Sequence, residues 1–306
     1  MVNTLAIPAA PTGRTQAEVL AYAGLTFSSV AWALAFVLGK IVVGEMMPLA
    51  VATWRFVAAA LVLLPFALRE GRPRGLGAVA LPLAIMVVCG GLMYQWMFFA
   101  ALARTSATNT ALLVALNPVL TLLLSPLIGE QLRRQQLMGV VLALAGAVLV
   151  ITKGDLGHLG QLTLAGGDLL ALAAAAMWAA FNLASRRVVA QLSPSFTNCV
   201  VYSCGGVALL LIGWGEQPWA QLAAASPGAV GSILVMAVLA SVLAGQLFLV
   251  GVRVLGVSHT VVFVYLVPVI TALLSRLALG EQFELAQAAG GSAVLAGVYW
   301  TTRRRA

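Results

Sequence analysis

The chain has 306 residues, 62% hydrophobic and 8% charged, with a mean hydropathy of +1.03 and a net charge of +8. A soluble domain carries about 25% charged residues, so this chain cannot cover a water-facing surface and its solvent is mostly lipid. The positive balance does not point to nucleic acid, because the one basic run is Arg303-Arg304-Arg305 at the C-terminus.

Residues 1–19 hold Pro8, Pro11 and Gly13 without a long apolar core. That is not the pattern of a cleavable signal peptide, so the first apolar segment is expected to stay in the mature protein. Ten apolar segments follow, at 19–39, 46–68, 77–101, 107–128, 135–152, 166–189, 195–214, 229–252, 258–279 and 285–302. Each is long enough, or nearly so, to cross about 30 Å of hydrocarbon as a helix. They are continuously apolar, whereas barrel strands alternate. The three cysteines, Cys89, Cys199 and Cys204, lie in apolar stretches without metal-ligand spacing and read as small buried residues.

Charge in the connecting loops sets the expected orientation. With a cytoplasmic N-terminus, the cytoplasmic side holds Arg14, Arg69, Arg72, Arg74, Arg133, Arg134, Arg186, Arg187, Arg253, Arg303, Arg304 and Arg305. The opposite side holds Lys40, Arg104, Lys153 and Arg276. Twelve against four places both termini in the cytoplasm.

The chain also repeats itself. From Thr110 to Leu127, a shift of 150 gives Thr260 to Leu277, and ten of the eighteen pairs are identical, Pro118/Pro268 and Thr121/Thr271 among them. One residue later the shift is 151, and Gly129-Glu130-Gln131 meets Gly280-Glu281-Gln282. Upstream, Trp32 meets Trp178 and Pro48 meets Pro194 at a shift of 146. An odd-span unit that is duplicated enters the membrane from opposite sides, which is an architecture of secondary transporters. The expected fold class is therefore an all-α integral membrane protein with ten transmembrane helices as two inverted five-helix repeats. The repeats are expected at 1–152 and 166–306, with 153–165 as an extracytoplasmic linker.

The run ALARTSATNTALLVALNPVLTLLLSPLIGEQLRRQQLMGVVLALAGAVLVI resembles the EamA repeat of the drug/metabolite transporter superfamily. The stretch VRVLGVSHTVVFVYLVPVITALLSRLALGEQFELAQAAGGSAVLAGVYW is a looser match. The resemblance implies ten spans, a central cavity and export of small metabolites, often amino acids. The chain is also similar to the aromatic amino acid exporter branch in size and cavity aromatics.

Site candidates are polar or amphipathic side chains near mid-membrane: Trp32, Tyr94, Gln95, Trp178, Asn182, Gln246 and Tyr265. Aromatics with a few amides suit an amphipathic solute of amino-acid size. Arg55 is the one cation well inside a span; it either meets a substrate carboxylate or is held by carbonyls. Pro118 and Pro268 are expected as bends, acting as hinges or as static kinks. Asn117 is a cavity contact or interhelical glue. Glu130 and Glu281 are expected to cap helix starts at the membrane edge, and Lys40 and Arg186 to be snorkelling anchors. The small residues of the fifth and tenth segments suggest close-packed supports.

All nine acids lie at or near segment edges, which argues against carboxylate-based proton antiport. His259 is the remaining titratable candidate, or a passive loop-end residue. No HExxH motif, Walker lysine loop or nucleophile–base pair is present, so no enzyme is expected. The expected function is an alternating-access exporter of small amphipathic metabolites, amino acids foremost, with a broad drug exporter or a passive channel as rivals. No cofactor, metal or nucleic acid is expected. The partners are a small-molecule substrate and membrane lipid, and the protein is expected to be a monomer in a bacterial-type inner membrane.

Overall fold

A computed structural model describes residues 16–70, 75–124, 134–151, 166–282 and 284–302. Outside them lie Arg14, Arg72, Arg74, Gly129, Glu130, Gln131, Arg133, the linker 153–165 with His158, and Arg303, Arg304 and Arg305. The side chain of His259 is likewise outside the described set.

Regular structure among the described residues is helical throughout. In chain order the helices are α1 (Gln16–Val42), α2 (Pro48–Arg69), α3 (Leu76–Arg104), α4 (Ala107–Val114), α5 (Asn117–Leu124), α6 (Arg134–Ile151), α7 (Gly166–Val188) and α8 (Pro194–Ile212). They continue with α9 (Pro218–Ala224), α10 (Pro227–Leu255), α11 (Val257–Thr260), α12 (Leu266–Leu279) and α13 (Leu285–Thr302). Six of them (α1, α2, α3, α7, α8 and α10) are long and apolar enough to cross a membrane. The chain is a multi-pass membrane protein.

Local chemistry fixes many of the boundaries. Ser106, Ser193 and Ser226 each accept a hydrogen bond from the amide three residues on, which satisfies a donor the helix start leaves free. Proline follows at Pro194 and Pro227, where its missing N–H costs nothing. Pro218 likewise opens α9, a short helix absent from the expected elements, but Gln217 before it is left-handed (φ 51°) and makes no side-chain cap bond.

Two elements differ from the continuous spans read from the sequence. The segment at 107–128 breaks at Ala115 and Leu116, between α4 and α5. The segment at 258–279 narrows to a 3₁₀ turn over Val261–Tyr265 before α12. In each case the interruption lies just before the proline, so Pro118 and Pro268 stand in the first turn of the following helix. A proline there removes no intrahelical bond, and the residues before it stay in the right-handed helical region, Ala115 at φ −65°, ψ −4° and Tyr265 at φ −67°, ψ −20°.

Packing follows the repeat. Helix α1 lies on α10 and α12, and its counterpart α7 lies on α3, α4 and α5. Helix α2 packs on α8, and α6 on α13. Helix α3 meets α8 as α10 meets α2, so exchanging the halves maps each of these contacts onto another or, for α2–α8 and α6–α13, onto itself. At the α6–α13 crossing the backbones touch: a Cβ on Gly146 would lie 2.5 Å from the Gly290 carbonyl oxygen, and one on Gly297 2.4 Å from the Ala143 nitrogen. Small residues permit that approach in lipid.

Membrane-edge contacts tie separate helices together. Lys40 Nζ donates to the carbonyls of Leu102 (2.7 Å) and Thr105 (2.9 Å), so it closes the C-terminus of α3 instead of snorkelling. Glu281 accepts from the amides of Ala107 (2.8 Å) and Thr108 and from the Thr108 hydroxyl (2.7 Å). It is a cap as expected, but of α4 in the other half and not of α13, which begins four residues later.

Candidate functional site

A cavity lies between the halves, lined by α1, α2, α3, α4, α7, α8 and α10 together with Asn117, Val264 and Val267. Neither α6 nor α13 contributes a described lining residue. Five of the expected site residues, Trp32, Arg55, Tyr94, Gln95 and Trp178, come together there.

The aromatic wall is continuous. Trp178 stacks on Phe181 at 4.7 Å with planes 15° apart, and its ring centroid is 4.8 Å from that of Tyr94. Tyr94 stacks on Phe98 at 5.7 Å, and Phe98 meets Phe36 edge-on at 4.8 Å. Trp32 leans on Phe248 at 5.4 Å, and its indole Nε1 donates to the Ala240 carbonyl at 3.0 Å. That bond satisfies the one donor a buried tryptophan carries and fixes the ring.

The polar wall centres on Arg55, which is 5% exposed. Its Nε donates to Ser241 Oγ at 2.9 Å and its Nη1 to Gln95 Oε1 at 3.4 Å, and the guanidinium lies 5.8 Å from the centroid of the Phe99 ring. Neutral side chains hold it within the protein. Tyr202 packs on Phe56 at 4.6 Å and donates its hydroxyl to the Ser241 carbonyl at 2.8 Å.

Three expected site residues fall outside the lining. Asn182 is fully buried and donates to Asn117 Oδ1 at 3.2 Å. Asn117 lines the cavity and Asn182 stands behind it, so Asn117 is both a cavity residue and a link between helices. Gln246 follows the lining residue Gly245 and points about 100° away from it around the helix. Tyr265 gives place to Val264 and Val267 on the cavity side of its segment.

The sequence also carried no signal for one feature of the walls. Met86–Met93 in α3 and Met236–Leu243 in α10 are π-helical, eight residues each and 150 positions apart. The amide of Tyr94 reaches back to Cys89, and that of Ala244 to Leu239, five residues in each case, the latter also meeting the Ser241 carbonyl. Such wide turns leave carbonyls short of intrahelical donors and gather at functional sites. Here the Ala240 carbonyl accepts from Trp32 Nε1, and the Ser241 carbonyl accepts from the Tyr202 hydroxyl as well as from the Ala244 amide. The cavity has about 60 Å³ open to water centres, enough for a few waters.

An apolar box between two packed helix sets, with one buried cation and a few amides, can hold a small amphipathic solute. The profile of the EamA-like transporter family matches twice, at residues 19–152 and 165–303. The chain belongs to that family. An uncharacterized transporter of Bacillus subtilis, YyaM, is 32% identical over 86% of this chain and 87% of its own length. A probable amino-acid metabolite efflux pump of Salmonella typhimurium is 28% identical, with 88% of this chain and 90% of the relative covered. A probable terminal-alkyne amino-acid exporter of Streptantibioticus cattleyicolor is 27% identical over 81% of this chain and 80% of its own. A crystal structure of a protein at 21% identity superposes with a TM-score of 0.62 over 95% of this chain and 99% of the other, which speaks to the fold alone.

Proposed function

We propose that the protein is a secondary transporter that exports small amphipathic metabolites by alternating access, amino acids foremost, aromatic and neutral ones included. The cavity between the two halves carries the proposal, with aromatic faces on one wall and Arg55 on the other. The names of the Salmonella and Streptantibioticus relatives point the same way.

The proposed architecture is ten transmembrane helices in two inverted five-helix repeats, joined by the segment 153–165, with both termini cytoplasmic. The repeat shifts of 146 to 151 residues and the exchange of helix contacts between halves support it. Loop contacts are consistent with it as well. Lys40 with Leu102 and Thr105, Glu45 with Ser226, and Glu281 with Ala107 and Thr108 all pair loops assigned outside. Glu70 with Ser193, and Arg253 with Val189, pair loops assigned inside. The lining residues Trp32, Arg55, Tyr94, Gln95 and Trp178 are proposed to contact the solute, with Asn182 supporting Asn117 from behind. Pro118 and Pro268 are proposed as the hinges.

Purified protein in liposomes tests the function. Labelled phenylalanine, threonine or methionine should show saturable uptake that unlabelled solute on the far side accelerates. Flux that neither saturates nor accelerates would make the protein a channel. Resistance of cells to a cationic toxicant, without resistance to an amino-acid analogue, would make it a drug exporter.

A further inference from the structure

We infer that the site selects its solute through a carboxylate and not through an ammonium group, an inference that rests on the exporter function proposed above and names its substrate class. The class is organic acids with an apolar or aromatic body, for which an α-amino group is dispensable. Amino acids qualify because they carry the carboxylate.

Hydrogen-bond accounting within the cavity leads there. Several oxygens of the lining residues are already taken by protein donors. Ser241 Oγ and Gln95 Oε1 accept from Arg55. The carbonyls of Ser241 and Ala240 accept from Tyr202 and Trp32, and Asn117 Oδ1 accepts from Asn182. Donors are in surplus. A guanidinium has five N–H groups, and two of the Arg55 groups are engaged. The Nδ2 of Asn198, a lining residue 2% exposed, is buried with no acceptor. That nitrogen and the Tyr202 hydroxyl both lie against Gly245, next to the Ser241 side of the Arg55 cluster.

Charge points the same way. No acid is among the described lining residues, so the cavity holds a buried cation that no carboxylate of its own offsets. A low-dielectric pocket with one uncompensated positive charge attracts an anion and repels a cation. A carboxylate accepts in the fork geometry that a guanidinium offers. An ammonium group is a donor only, and beyond the aromatic faces it finds few open partners. The aromatic wall from Trp178 to Phe98 takes the apolar body.

The test uses three solutes that share a phenylethyl skeleton: phenylalanine, 3-phenylpropionate, which lacks the amine, and phenethylamine, which lacks the carboxylate. Each competes with labelled amino-acid uptake by the wild-type protein in liposomes. Each is also titrated against detergent-solubilised protein, with intrinsic tryptophan fluorescence as the signal. The expected ranking places 3-phenylpropionate near phenylalanine and phenethylamine at least about tenfold weaker, the scale of a hydrogen bond to a charged group. In Arg55→Gln the ratio between acid and amine should collapse toward one, a change that loss of a merely structural Arg55 would not produce. The wild-type ranking stands even if that variant does not fold. Phenethylamine competing as well as 3-phenylpropionate overturns the inference and leaves the exporter function in place. Absence of saturable flux for every solute overturns the exporter function, and the binding titration still decides between acid and amine.

Discussion

Trp32 and Trp178, 146 residues apart, meet edge to face across the cavity, with ring centroids 6.0 Å apart and planes at 83°. They hold equivalent positions in the two halves, yet their roles differ. Trp32 is fixed by its bond to Ala240 and contacts Phe248, whereas Trp178 touches Tyr94, Phe181 and Phe248 as well. Aromatic pairs contribute about 0.5–1.5 kcal/mol each. Trp178→Ala should therefore raise the half-saturation concentration for phenylalanine roughly tenfold and change that for threonine less. Concentration series of liposome uptake for the two solutes give the comparison, and equal shifts would remove Trp178 from the solute contacts.

Gly245 faces the Tyr202 hydroxyl. A Cβ there would lie 2.4 Å from that oxygen and 3.4 Å from Asn198 Nδ2. Gly245→Ala must push Tyr202 off the Ser241 carbonyl. Transport should fall severalfold, and adding Tyr202→Phe should restore part of it, because the clashing oxygen is gone. A double-mutant cycle measures the coupling, expected at about 1 kcal/mol; additive effects would contradict the contact.

At the α6–α13 crossing no flexible side chain can yield. A Cβ on Gly297 meets the backbone of Ala143 and Gly139. Gly297→Ala should destabilise by about 1–3 kcal/mol through overpacking, seen as a lower melting temperature in detergent. Uptake per folded molecule should not change, since neither helix contributes a described lining residue.

Glu281 links the loop before α13 to the start of α4. Glu281→Ala strips acceptors from the amides of Ala107 and Thr108, at a cost of about 1 kcal/mol. Glu281→Gln keeps one acceptor oxygen and should lose less. Thermal unfolding of the two variants orders them, and an order of Gln below Ala would refute the capping role.

Much of the frame could be read from the chain because it depends on long apolar runs and local caps. Ser-Pro at 193–194 and 226–227 marks helix starts, and Leu285–Thr302 matches the segment read at 285–302. The α9 start at Gln217-Pro218 shares only the proline, since Gln217 makes no side-chain cap bond. The site was legible only where side-chain chemistry is unusual for lipid, as at Arg55 or a mid-span tryptophan. Whether a residue faces the cavity turns on about 100° of helix rotation. That separates Gly245 from Gln246, and hydropathy does not encode it. Ser241, Asn198 and Tyr202 were missed for the same reason, because residue type alone does not tell a cavity-facing polar side chain from one packed between helices. The π segments were invisible because Met86–Met93 and Met236–Leu243 have the composition of any apolar helix.

Those two segments also have a bearing on insertions and deletions. A wide turn is roughly one residue absorbed into a helix without turning the flanks out of line. Removing Cys89 from Met86–Met93 would let that stretch close into α geometry, with Tyr94, Gln95 and Phe98 still facing inward. Removing Met97, beyond the wide turn, would swing every later side chain of α3 by about 100°. Each half of the protein thus holds a place where the chain can be shortened by one residue while the rest of the helix keeps its facing, and both places border the cavity.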